Sequence, residues 1–359
     1  MIILSLLLAA ALAGCLSRPT AERPPMIGSA SPGTATHTPT PTRATATLPP
    51  TAQPPIETPT ALLTPTRTSV ETATIVRAYP RVDGSTSTYP LEVMAACTLL
   101  EVPCLWQPEG PANGVERFLM PDPRLLDTAK EAIFNPIIHW GTHEAYVKLI
   151  KGEADFILVA RSPSADELVA ANVEGVMLDV RPVALDAFVF LVNAGNPVDS
   201  ISLEQARRIY TGDIANWSVL DGLDRPIQAY QRDANSGSQE LMEALVMQGA
   251  PMIEAPDMIL FTMAGPVNAI HDDVAGIGYS VYYYAAFIMP DEQVKLLALE
   301  GVVPTWESIA QRAYPLTTEV YAAVRQGMPA DSPAVLLRDW LLTPDGQAAV
   351  AASGYVPLH

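Results

Sequence analysis

Beyond residue 80 the apolar positions follow two periods in alternation, and that alternation predicts the elements. Short continuous apolar runs bounded by Gly, Pro or Ser predict buried strands over residues 154–160, 185–193, 227–231, 276–280 and 314–324, with a shorter one over 137–140. Between them, apolar residues three or four apart predict helices. Tyr146, Leu149 and Ile150 mark one, capped by Thr142 and stopped by Gly152. Leu203 to Tyr210 follows a Ser202…Gln205 capping box. Leu241, Met242, Leu245 and Val246 follow a second box, Ser236…Gln239, and end at Gly249. Further helices are predicted after Pro90, with Glu92 in the first turn, after Thr305, over 332–342, and from Pro344 to near Gly354. Strands alternating with helices predict an α/β fold.

Composition agrees over most of the 359 residues, with 49% hydrophobic and 17% charged. The exception is the start. Residues 1–14 form an apolar run too short to cross a bilayer, which predicts an export signal. Leu12-Ala13-Gly14-Cys15 resembles the lipobox of bacterial lipoproteins, which implies that Cys15 carries a lipid and anchors the chain to the cell membrane from outside the cytoplasm. Residues 16–79 are rich in Thr, Pro, Ala and Ser and predict an extended tether without a core. Net charge is −18, and residues 1–79 hold five Arg against three Glu, so they carry +2 and the rest −20. So acidic a domain is a poor partner for nucleic acid, yet a few N–H groups and one Arg at contact distance outweigh diffuse charge screened beyond about 8–10 Å.

Chemistry is concentrated where strands hand over to helices. Gln231-Arg232-Asp233-Ala234-Asn235-Ser236-Gly237-Ser238 predicts a loop entering a helix, with outward N–H groups, two hydroxyls and a fixed cation: a receptor for a small anion. Ser85-Thr86-Ser87-Thr88-Tyr89 before Pro90 predicts a second such start, Thr142 a third, and Arg161-Ser162 stand at the end of the 154–160 strand, where ligands sit in open α/β sheets. Cys97 and Cys104 admit a disulfide or two buried thiols; a straight helix would hold them about 10 Å apart, but Pro103 lets the chain fold back and favours the bridge. His139, His143 and Glu144 do not make a metal motif, because Gly141 interrupts any helix between the two His. No Ser has a nucleophile-elbow setting, so the sequence predicts neither an enzyme nor a cofactor. Tyr282-Tyr283-Tyr284 reads as core and rim packing.

Four stretches in this order carry a resemblance: Asp83 to Pro90, Leu203 to Trp217, Gln231 to Ser238, and Asp339 to Gly346 with Gly354-Tyr355-Val356-Pro357. Together they resemble the phosphate-type solute-binding proteins of ABC transporters. The resemblance implies a two-lobed, type II periplasmic-binding-protein clamshell with two hinge-crossing strands, here 185–193 and 314–324. One lobe would comprise 80–188 and 317–359, the other 189–316. It implies a monomer that captures a small oxyanion, phosphate foremost, without a metal, for delivery to an ABC permease; a lipid-anchored sensor or adhesion module using the same clamshell is the alternative. Ligand contacts fall on Ser87, Thr88, Tyr89, Thr142, Arg232, Ser236, Gly237 and Ser238. Where phosphate receptors place an Asp that accepts the ligand's proton, this chain has Arg161 followed by Ser162.

Overall fold

The computed structural model describes residues 69–107, 116–135, 137 and 139–358. Cys15, the export signal and the tether up to residue 68 lie outside the described residues. In chain order the elements are α1 (Ser69–Arg77), β1 (Val82–Gly84), α2 (Tyr89–Leu99), β2 (Cys104–Gln107), β3 (Phe118–Pro121), α3 (Thr128–Phe134), α4 (Thr142–Lys151), β4 (Phe156–Val159), α5 (Ala165–Val173) and β5 (Leu178–Asn193). Then come β6 (Ser200–Ile201), α6 (Leu203–Tyr210), β7 (Gln228–Ala229), β8 (Gln231–Arg232), α7 (Gly237–Leu241), β9 (Ile259–Leu260), α8 (Gly265–Asp272) and β10 (Gly276–Val281). The chain closes with β11 (Val294–Leu296), β12 (Ala298–Leu299), α9 (Trp306–Ala310), β13 (Thr317–Arg325), α10 (Pro333–Leu341) and α11 (Pro344–Ser353).

One strand organises the rest. The main sheet runs β1-β4-β13-β5-β10-β7, with β11 also on β5. Residues 178–187 of β5 pair antiparallel with β13, and from Phe188 onward its partner is β10, so the strand passes from one lobe to the other. The second crossing is the entry to β13, where the Phe188 N–H donates to Leu316 O at 2.9 Å. Both crossings run antiparallel to their neighbours while β1/β4 and β10/β7 are parallel, so the sheet is mixed. The expected hinge strands are therefore present, with β5 starting seven residues earlier than the pattern suggested. Every residue from Val183 to Asn193 is buried, since helices cover both faces. Phe188 and Phe190 meet edge to face at 5.5 Å, and each large apolar side chain so buried stabilises by about 1.5–3 kcal/mol.

Four local expectations change. α1 occupies part of the stretch read as tether, with Ile75 fully buried, so folded structure begins before residue 80. The described residues of the 137–140 stretch, Ile137, His139 and Trp140, are not in a strand; Trp140 is 66% exposed and Gly141 N–H reaches Gly84 O at 3.3 Å, too isolated a contact for a ladder. Gly141, at φ 107°, is the N-cap of α4, and Thr142 is its first residue. Ser236 caps α7 by position but without a side-chain bond, the Gln239 side chain that would complete the box accepts from Arg232 N–H instead, and the helix continues as π turns over Met242–Met247. Cys97 and Cys104 form the bridge: α2 ends at Leu99, Glu101 at φ 53° turns the chain back, and the two Cα atoms lie 5.9 Å apart.

Candidate functional site

Three helix starts open onto one cleft of about 910 Å³. From one lobe come the Thr86–Thr88 turn that leads into α2, and the first turn of α4; from the other comes the start of α7. Helix starts leave N–H groups without intrahelical partners and at the positive end of the dipole. The lining includes Ser85, Ser87, Thr142, Arg232, Ser236 and Ser238, of which all but Arg232 bring hydroxyls.

The hydroxyls are wired together. Ser85 Oγ accepts from Ala160 N–H at 3.0 Å and lies 2.7 Å from Thr142 Oγ1. Only one of the two hydroxyl hydrogens serves that pair. The other remains for whatever enters the cleft. Ser87 is fixed from behind, its carbonyl accepting from Tyr355 Oη at 3.0 Å, and Tyr355 stacks on Tyr283 at 3.7 Å. The lobes already touch at the floor: a Cβ on Gly237 would fall 2.4 Å from Thr142 Oγ1, so only glycine allows this approach.

Arg232 ends β8 with its backbone held by the second lobe. Its N–H donates to Tyr279 Oη at 2.9 Å and lies 3.3 Å from Gln239 Oε1, and Tyr279 in turn donates to Gln239. Its Nε donates to Leu260 O at 2.9 Å, and Asp233, at 3.9 Å, is its one carboxylate within ion-pair range among the described residues. Burial lowers its pKa and Asp233 raises it, with burial prevailing. A buried cation this sparsely paired favours a bound anion. The other lining cation, Lys148, is engaged with Asp83 at 2.9 Å.

A family model described as PBP superfamily domain matches residues 137–342, more than half of the chain. The chain belongs to the PBP superfamily. Among curated relatives, it is 28% identical over 178 residues to the phosphate-binding protein PstS of Bacillus subtilis, covering 49% of this chain and 56% of that one. It is 25% identical over 238 residues to PstS of Pseudomonas aeruginosa, covering 61% and 72%. The matched part spans little more than half the length of the first of these. Solved structures agree in fold: an ABC-type phosphate transport receptor from Vibrio cholerae (TM-score 0.54, 20% identity, 77% of this chain and 98% of that one) and a periplasmic phosphate-binding protein bound with phosphate (0.52, 14%, 77% and 90%). The two-lobed clamshell is the fold of this PBP superfamily member.

Against this PBP fold, the expected site residues divide. Ser87, Thr142, Arg232, Ser236, Gly237 and Ser238 line the cleft. Thr88 does not: its Oγ1 donates inward, within reach of Ser85 O, Leu158 O and Glu92 Oε1 at 2.8–3.0 Å, beside a Glu92 that burial pushes well above the carboxylate range. Tyr89 is not in the lining and packs on the His139 ring at 4.6 Å. Arg161 and Ser162 also fall outside, in a smaller cavity of about 420 Å³. Arg161 is spent there: Nη1 and Nη2 donate to both Glu167 oxygens at 2.8 and 2.7 Å, and Nη2 contacts Glu240 from the other lobe. It therefore does not stand in the cleft as the counterpart of the acceptor Asp. His143, Glu167 and Glu240 approach one another closely enough to suggest a metal triad, but Arg161 already contacts both carboxylates. Sequence reading placed Ser85 in the hydroxyl turn without giving it a ligand contact, and missed Tyr279 and Tyr355, although Tyr355 lies in the quoted C-terminal motif.

Proposed function

We propose that this chain is an extracytoplasmic solute-binding protein that captures a small oxyanion, phosphate foremost, and delivers it to an ABC permease; it is a receptor and not an enzyme. One observation carries the reading: Arg232, buried with Asp233 only at 3.9 Å, faces the cleft on which three helix starts converge. The names of the relatives support phosphate as the anion. Asp233, beside Arg232 in the lining, is the carboxylate suited to accept a proton from bound phosphate, the role that Arg161 cannot take. The proposed lobes are 80–188 with 317–359, extended upstream by α1, and 189–316, closing about the β5 and β13 crossings as a monomer. Cys15, acylated, would hold the chain at the membrane surface through the 16–68 tether.

A thermal-shift panel tests this. Phosphate at 100 times its Kd should add about 2.7 kcal/mol of stability, and sulfate less. No shift with phosphate, sulfate, molybdate or phosphonates would overturn the receptor reading.

A further inference from the structure

Orthophosphate leaves most of the cleft empty. A five-heavy-atom oxyanion takes the room of a few waters, about 30 Å³ each, whereas clefts of about 300–1,000 Å³ hold ligands of organic, drug-like size. The cleft measures about 910 Å³. The lobes already meet at Thr142 against Gly237 and at Arg161 against Glu240.

The outer part of that room has a different chemistry from the floor. Trp140, just before α4, and Phe261, just after β9, both line the cleft, one from each lobe, and are 66% and 77% exposed. Lys148 Nζ sits over the Trp140 ring at 4.9 Å, steadying the ring and turning it into a platform. His139 lines the same region, and burial lowers its pKa, so it adds a neutral ring and no second fixed charge. Two exposed aromatic rings beside a floor of hydroxyls and an Arg suit an organic ligand with an anionic head.

We propose that the physiological ligand is a phosphate monoester bearing a flat ring, its phosphoryl group on Arg232 and the helix starts, its ring between Trp140 and Phe261. This rests on the anion-receptor reading above, keeps its anion site and replaces free phosphate by an ester. Titration calorimetry on the full chain, with inorganic phosphate and phenyl phosphate as probes and glycerol 1-phosphate as the ringless ester, separates the two. Phenyl phosphate should bind about tenfold more tightly than either other probe, and Trp140→Ala with Phe261→Ala should lower the ratio of phenyl phosphate to phosphate affinity by about the same factor. Phosphate binding equal to or tighter than phenyl phosphate, lost in Arg232→Ala, would overturn the ester and leave the anion site standing. Binding of neither probe, or binding of both that is indifferent to Arg232→Ala, would remove the anion site and the ester with it.

Discussion

Arg161 and Arg232 look alike in the sequence, each following an apolar strand and each beside hydroxyl residues, and both side chains are only 6% exposed. Their surroundings differ in one respect. Arg161 has a bidentate carboxylate from its own lobe and a second carboxylate from the other; Arg232 has backbone and thioether partners and a carboxylate only at 3.9 Å. A buried guanidinium whose charge is met inside the protein is part of the scaffold. One whose charge is met only at 3.9 Å is what the anion site proposed above calls for.

The largest effect expected from this contrast is on stability. Arg161→Ala leaves Glu167 buried without its bidentate cation, with His143 and the Ser164 N–H still in contact, which should cost about 3–5 kcal/mol in chemical unfolding of the unliganded protein. Phosphate affinity should fall far less than in Arg232→Ala. Loss of binding with stability intact would reverse the assignment of the two arginines.

Next comes Arg232→Ala. Removing a charge-assisted contact should cost about 2–5 kcal/mol of binding, at least about 30-fold in the phosphate Kd by calorimetry. Unliganded stability should change much less than in Arg161→Ala, because no carboxylate is left stranded at hydrogen-bond distance. A stability loss equal to that of Arg161→Ala would show that Arg232 is structural as well.

What the sequence disclosed follows the reach of the interactions. Elements set by local pattern were legible: the continuous run that becomes β5, the Ser202…Gln205 box that caps α6, and the Pro344 start and Gly354 stop of α11. The hydroxyl turn was legible as a turn, but which hydroxyls face the cleft depends on its rotation, which sends Thr88 inward to Leu158 O and leaves Ser85 and Ser87 in the lining. Long-range capture was not legible. Gln239 fits a capping box locally, yet Tyr279, forty residues on, takes its oxygen; Arg161 reads as a ligand contact until Glu240, from the facing lobe, closes on it. The strand expected over 137–140 is absent from its described residues for a related reason, since a strand needs a neighbour and the Ile137 N–H is taken locally by Phe134 O.

The smallest expected effect asks whether Arg161 needs its second carboxylate at all. Burial pushes the Glu240 carboxyl up from an ordinary 4.5 to about 7, against the pull of Arg161 and with help from Glu167 and Asp166. A carboxyl with a higher pKa in the folded chain than in the unfolded one holds its proton more tightly when folded. Its contribution is therefore full below about 4.5 and lost as pH rises through about 7. Glu240→Gln keeps an oxygen toward Arg161 and removes the titration. The two proteins, unfolded without ligand, should match near pH 5, and the variant should become the more stable by pH 8. Solvent screening limits the difference to about 1 kcal/mol, since the Glu240 side chain keeps 17% exposure. A variant that instead loses stability above pH 7 would show that the ionised pair attracts more than burial costs. The contact between the lobes would then be a latch, and Arg161 would join the clamshell's closing machinery without ever touching the ligand.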